Sequence, residues 1–122
     1  TTMIERFGKA RGLRIPFWRN WQVEVWYCPR GTVVPPHVHE HTDSFIVYLL
    51  GRMKVTVEQT TRVVFGPVRR RESTGRWIPA TRYIPAGVRH CAEVIGSFAL
   101  FANIEHCHGK RMSASQDFVR VE

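Results

Sequence analysis

Apolar residues along this chain recur mostly at every second position, in short runs, and rarely at the i, i+3, i+4, i+7 spacing of a helix face. Gln22–Cys28 (QVEVWYC) alternates polar and apolar residues. Ser44–Leu50 (SFIVYLL) is apolar at both parities, which predicts a strand buried on both sides. Gly51-Arg52 then predicts a tight turn. Met53–Glu58 alternates again, with Met53, Val55 and Val57 on one face. Thr61–Phe65, Arg82–Ile84, His90–Ile95, Phe98–Ile104 and Phe118–Val121 continue the series. Prolines and glycines separate the runs at Pro35-Pro36, Gly66-Pro67, Gly75, Pro79, Pro85, Gly87 and Gly96. Many short strands with turns between them predict an all-β chain folded as an antiparallel sandwich or barrel. The polar stretch Gly66–Gly75 (GPVRRRESTG) reads as a surface loop, or as a lid over a barrel mouth.

The length of 122 residues suits one domain, 1–122. A hydrophobic share of 43% excludes a disordered chain. No apolar run approaches the roughly 20 residues of a membrane helix, so no membrane association is expected. The first residues lack an apolar signal-peptide core. Cys28, Cys91 and Cys107 form an odd, widely spaced set, which argues for reduced thiols and a cytoplasmic setting. The net charge of +8 is spread, with one dense run at Arg69-Arg70-Arg71. Such a distribution favours small anionic molecules as partners and does not favour nucleic acid.

Four of the six histidines cluster at two turn–strand junctions. The first reads Gly31-Thr-Val-Val-Pro-Pro-His37-Val-His39-Glu40-His41-Thr-Asp43, the second Pro85-Ala-Gly87-Val-Arg-His90. In a strand, alternation puts His37 and His39 on one face and Val38 on the other. Two adjacent imidazoles chelate a divalent ion, and a third ligand from a distant strand leaves positions open for water, substrate or oxygen. The turn at Pro85-x-Gly87 starts a strand that can carry His90 across a barrel to that pair.

These two segments resemble the two motifs of the cupin superfamily. The first family pattern, Gly-x5-His-x-His-x3–4-Glu-x6-Gly, is met by Gly31, His37, His39 and Gly51. The second, Gly-x5-Pro-x-Gly-x2-His-x3-Asn, is met by Pro85, Gly87 and His90. The resemblance covers roughly residues 20–105, with a motif core at 31–95. It implies a small antiparallel cupin-type barrel (a double-stranded β-helix or jelly roll) holding one divalent metal ion on His37, His39 and His90. Iron is the leading choice, with manganese, nickel or zinc as alternatives. It further implies a homodimer, to which the N-terminal segment 1–20 and the nearby Trp18, Trp21 and Trp26 are expected contributors.

The family glutamate is absent. Either Asp43 completes the site, or the carboxylate position is vacant at Ser44 and three histidines act alone. Val94 replaces the family asparagine, and Pro79 stands where the family has glycine. By resemblance, the leading activity is a mononuclear non-haem iron dioxygenase acting on a small anionic substrate. Lyase, isomerase or decarboxylase chemistry on another metal is an alternative, as is a non-catalytic binding or sensor module.

His41 shares the parity of His37 and His39, so it is a candidate base or spare ligand against a plain reading as a polar rim residue. Tyr48 shares the parity of Ser44 and Ile46, and a phenol there can serve as acid, base or hydrogen-bond donor. Arg82 and Arg89 flank the second motif, Arg89 and Cys91 being expected to face away from the metal. His106 and His108, in Glu-His-Cys-His-Gly, lack a partner motif. Trp18, Trp21 and Trp26 are expected in the core or at a subunit interface.

Overall fold

The structure, a computed structural model, describes residues 2–66, 69–71, 77–79 and 81–121, with 69–71 and 77–79 described as backbone. Its elements are β1 (Met3–Phe7), β2 (Ala10–Trp18), β3 (Trp21–Pro29), β4 (Val33–Val38), β5 (Thr42–Val57), β6 (Thr60–Gly66), β7 (Arg69–Arg71), β8 (Trp77–Pro79), β9 (Thr81–Ile84), β10 (His90–Cys107) and β11 (Val119–Arg120). Every pairing is antiparallel.

The two longest strands, β5 and β10, organise the barrel. Residues 42–50 of β5 pair with the second half of β10, which continues through β3 and β2 to β1, while β9 pairs on the other side of β5. Residues 53–57 of β5 pair with the first half of β10, flanked by β6 on one side and by β4 and β11 on the other. One continuous, curled sheet therefore closes over a core that includes Trp26, Ile46, Met53, Val55, Ile84 and Val94. Each such side chain stabilises the fold by roughly 1.5–3 kcal/mol on burial.

The expected turn at Gly51-Arg52 is instead a bend inside one strand. Gly51 has φ +82°, and a Cβ there would lie 2.1 Å from the Phe98 carbonyl oxygen. On the facing strand the register shifts between Val94 and Ala99, around Gly96 at φ +99°. The two glycines let both strands change direction without breaking the ladder, as bulges do. The runs His90–Ile95 and Phe98–Ile104 accordingly belong to one strand.

Burial on both sides of Ser44–Leu50 is also corrected. Ser44, Ile46 and Tyr48 are buried, whereas Phe45, Leu49 and Leu50 are exposed. Phe45 belongs to a row of apolar side chains on the barrel's outer face. Ile15 pairs with Val23, Val23 with Ile104, Ile104 with Phe45, and Phe45 with Tyr83.

The hairpin β1–β2 was not foreshadowed by the patterning. Its inner positions are Ala10, Gly12 and Arg14, while Leu13, Ile15 and Phe17 face outward. Gly12 is required because the Trp26 ring lies 2.8 Å from where its Cβ would sit. Of Trp18, Trp21 and Trp26, the last is in the core, while the other two are exposed. The expected loop 66–75 is in part a strand, since Arg69–Arg71 pairs with Trp77–Pro79. Residues 67, 68 and 72–76 lie outside the described residues.

Candidate metal centre

His37 is the penultimate residue of β4, and His90 opens β10 directly across from it. His39 follows one residue beyond β4. The turn that delivers His90 is pinned at three points. Gly87 N–H donates to the His39 carbonyl at 2.9 Å, Val88 N–H to the Pro85 carbonyl at 3.3 Å, and Ala86 N–H to Asp43 Oδ1 at 2.7 Å. Gly87 supplies the positive φ of +82° that the turn needs.

The three imidazoles converge. Ring centroids lie 4.7 Å apart for His37–His39, 4.1 Å for His37–His90 and 5.2 Å for His39–His90. Their ligand nitrogens all fall within 4.8 Å of one another, and His37 Nε2 lies 3.1 Å from His39 Nε2. An ion held at roughly 2.0–2.1 Å from each imidazole nitrogen separates neighbouring ligand atoms by about 3 Å, which matches that spacing.

Each ring is oriented through its other nitrogen. His37 Nδ1–H donates to the Pro35 carbonyl at 2.6 Å, His90 Nδ1–H to the Val88 carbonyl at 2.9 Å, and His39 Nδ1–H to the Asp117 carbonyl. This fixes the tautomer and leaves every Nε2 lone pair for a ligand, the usual arrangement behind metal-binding histidines. Burial, reinforced by the neighbouring His90 charge and opposed by the Pro35 bond, drives His37 down to about 3. Burial likewise brings His90 down to about 4 and lowers His39. The three rings are therefore neutral, as ligation requires.

Asp117 was invisible to the spacing of the motifs. It is buried, and its carboxylate accepts from the backbone N–H of Glu40 (3.1 Å) and His41 (2.9 Å) and from Thr42 Oγ1 (2.7 Å). Together with the His39 contact, it fastens the chain after β4. The adjacent Phe118 stacks on His37 at 4.2 Å between centroids and packs on Phe7 at 5.2 Å.

Asp43 does not join the three histidines. It lies on the opposite side of β5 from the buried Ser44, where its Oδ2 accepts from His108 Nε2 at 2.7 Å. Strand alternation decides the question, and Ser44 holds the inner parity. Among the described residues the histidine group contains no carboxylate. His41 also stays out of the group. β4 ends at Val38 and the chain bends at Glu40 and His41, so alternation does not carry to His41, which is exposed.

The histidines open onto a cavity of about 100 Å³ lined mainly by apolar side chains, including Trp26, Ile46, Met53, Val55 and Ile84. Tyr48 lines it, as its parity predicts, and burial pushes its phenol up to about 12, so the hydroxyl is protonated and a hydrogen-bond donor at neutral pH. Asn103 also lines the cavity, with its Oδ1 buried and unpartnered among the described residues. Cys91 lines the cavity too, contrary to strict alternation, because the β4–β10 register shifts between His90 and Ala92. Arg82 shares the inner parity of Ile84, and its charge bears on Tyr48. Arg89 is exposed.

No family model and no curated protein matches the sequence. The structure is similar to that of KdgF from Halomonas sp., with a TM-score of 0.71 and 14% identity over 95% of this chain and 90% of that one. A second likeness is to an RmlC-like cupin from Shewanella frigidimarina, with a TM-score of 0.67 and 17% identity over 89% and 86% of the two chains. A third is to a structure described as DMSP lyases RdDddP and RnDddQII, with a TM-score of 0.68 and 14% identity over 93% of this chain and 53% of that one. At these identities the likeness is one of fold, and the fold is that of the cupin double-stranded β-helix.

Proposed function

We propose that this chain, a cupin in fold, is a mononuclear metal-dependent enzyme acting on a small anionic molecule. The observation that carries the reading is the convergence of three Nε2 atoms, each presented by a ring whose Nδ1 is bonded to a backbone carbonyl. A divalent ion held there supplies Lewis-acid polarisation or, as ferrous iron, oxygen chemistry.

The residues define what the substrate looks like. Three neutral ligands leave the charge of the ion uncompensated, which favours an anionic substrate group beside it. The Arg82 charge near Tyr48 acts in the same direction. The rest of the substrate meets the apolar walls at Ile46, Met53 and Val55, which exclude water. Asn103 Oδ1 calls for a hydrogen-bond donor on the substrate, since a buried acceptor left unpaired costs roughly 1–3 kcal/mol. In this reading the Tyr48 hydroxyl, which lines the cavity, donates a hydrogen bond to an oxygen atom of the bound molecule.

Oxygenase chemistry on iron is the leading reaction. The likeness in fold to DMSP lyases favours elimination as the second reading. The experiment that separates them is oxygen uptake and substrate loss with iron-loaded protein and a panel of thiols, diketones and small carboxylates. Oxygen uptake coupled to substrate loss supports the oxygenase, and substrate loss without uptake supports the lyase. Binding without turnover, seen as ligand-induced thermal stabilisation alone, overturns the enzyme reading in favour of a sensor.

We also propose that the chain forms a homodimer through the outer face bearing Ile15, Val23, Ile104, Phe45 and Tyr83. A contiguous exposed apolar face of this kind marks an interaction surface.

A further inference from the structure

Where the apolar rows of the outer face end, the next row of the same ladder is polar and carries chemistry of its own. Trp21 pairs with His106, and His106 pairs with Asp43. His108 lies one residue beyond the end of β10, and its ring reaches the same group. Asp43, His106 and His108 each offer a ligand atom, and these atoms all lie within 4.8 Å of one another.

Each member is held from behind. Asp43 Oδ1 accepts from Ala86 N–H at 2.7 Å, which leaves Oδ2 facing His108 Nε2 at 2.7 Å. The His106 ring is sandwiched, with Trp21 at 4.7 Å and His108 at 4.8 Å between centroids. The His108 backbone N–H donates to the His41 carbonyl at 2.6 Å, which fixes the chain just past the end of β10. The side chain of Asp43 is 21% exposed and that of His108 is 53% exposed, which leaves solvent access for an ion and its waters.

We propose that Asp43, His106 and His108 form a second metal site, on the outside of the barrel, for a divalent transition ion of the zinc class. Two imidazoles and one carboxylate suit Zn²⁺, with water completing the coordination. The ion would replace the direct Asp43–His108 contact by two bonds to itself. The site is chemically unlike the inner one, which has three neutral ligands and is buried. The two groups share no ligand, although Asp43 Oδ1 also accepts the Ala86 N–H of the turn that delivers His90.

The test is the stoichiometry of Zn²⁺ binding to chelator-stripped protein, followed by calorimetry. His108→Ala is expected to bind one Zn²⁺ fewer than wild type, and Asp43→Asn to bind the second ion at least tenfold more weakly. His90→Ala, which removes an inner ligand, is expected to keep the outer ion. The outcome does not depend on the inner site, since the difference between wild type and His108→Ala is one ion whether or not the inner histidines bind. Equal stoichiometry and affinity in wild type and His108→Ala would overturn the proposal. So would an unchanged second binding step in Asp43→Asn, a variant that keeps the acceptor for Ala86 N–H and guards against misfolding as the explanation.

Discussion

His90 stands directly across the β4–β10 ladder from His37, and their rings lie 4.1 Å apart although 52 residues of chain separate them in sequence about the barrel. The proximity is a property of the ladder register. The Pro85–Gly87 turn precedes the start of β10, Pro35-Pro36 lie within β4, and the ladder then brings the two imidazoles together. A shift of one residue would turn His90 to the outer face.

Asp117 is the first place where that arrangement can be attacked without touching a ligand. Asp117→Ala would leave three donors, one in a buried bond and two in part-buried ones, without their acceptor. The expected cost is roughly 3 kcal/mol in unfolding free energy, read from denaturant titration. Metal affinity at the inner site should fall about 10-fold or more, since His39 is oriented by the same segment. A variant with unchanged stability and unchanged affinity would remove Asp117 from the account.

The pH dependence of stability should show a second buried network, an acidic one. Glu24 and Glu105 are buried, with Gln22 Nε2 donating to Glu105 Oε1 at 2.8 Å and Ala114 N–H to Glu24 Oε1 at 2.8 Å. Burial first, and then the Glu105 charge, pushes Glu24 up to about 8, and burial pushes Glu105 up to about 7. The folded chain thus holds protons that the unfolded chain releases near its ordinary value of 4.5. Stability from these groups is complete below about pH 4.5 and is lost as pH rises through 7 to 8. Glu24→Gln keeps the acceptor for Ala114 and removes the titration. Its Tm at pH 8.5 should exceed that of wild type by roughly 4 °C or more. An unaltered profile would show that Glu24 does not hold its proton.

The inner histidines act with the opposite sign. Their folded values, about 3 for His37 and about 4 for His90, lie below the ordinary 6.5. In chelator, stability should therefore fall as pH drops below 6.5, because the unfolded chain takes up protons first. His90→Ala should shallow this acid limb, as measured by thermal unfolding between pH 4 and 7. An acid limb of undiminished slope would mean that His90 does not stay neutral in the fold.

The outer apolar face gives a separate prediction. Ile15, Phe45 and Tyr83 are exposed by 40%, 40% and 56%. Light scattering should find a dimer for wild type and a monomer for Ile15→Lys/Phe45→Lys. A wild-type monomer at all concentrations would leave the face without this partner.

Much of the barrel was legible because alternation and turn chemistry are local. The runs at Gln22–Cys28, Arg82–Ile84 and Phe98–Ile104 fall inside β3, β9 and β10. The histidine triplet was legible for the same reason, His37 and His39 following Pro35-Pro36 and His90 following the Pro85–Gly87 turn. Gly51 misled because a glycine at positive φ serves a bulge as readily as a turn, and only the partner strand distinguishes them. Asp43 misled because its chemistry suits a ligand while its parity does not. Asp117 and Asn103 carry no local signal, since their roles depend on contacts with β4 or on facing the cavity. Gln22 and Glu24 reverse the usual sense of alternation. Their polar side chains point inward because Arg14, Glu105 and the 112–114 backbone meet them there, with Arg14 Nη1 donating to Gln22 Oε1 at 3.3 Å.

The most direct test of the inner site is metal content by mass spectrometry, on protein purified without chelator. His108→Ala serves as the background, so that the outer group contributes nothing to the count. The account predicts one divalent ion per chain in His108→Ala, and its loss in His90→Ala/His108→Ala that remains folded by circular dichroism. No ion in either protein, even after reconstitution with Fe²⁺, Mn²⁺, Ni²⁺ and Zn²⁺ in turn, or equal amounts in both, would contradict it.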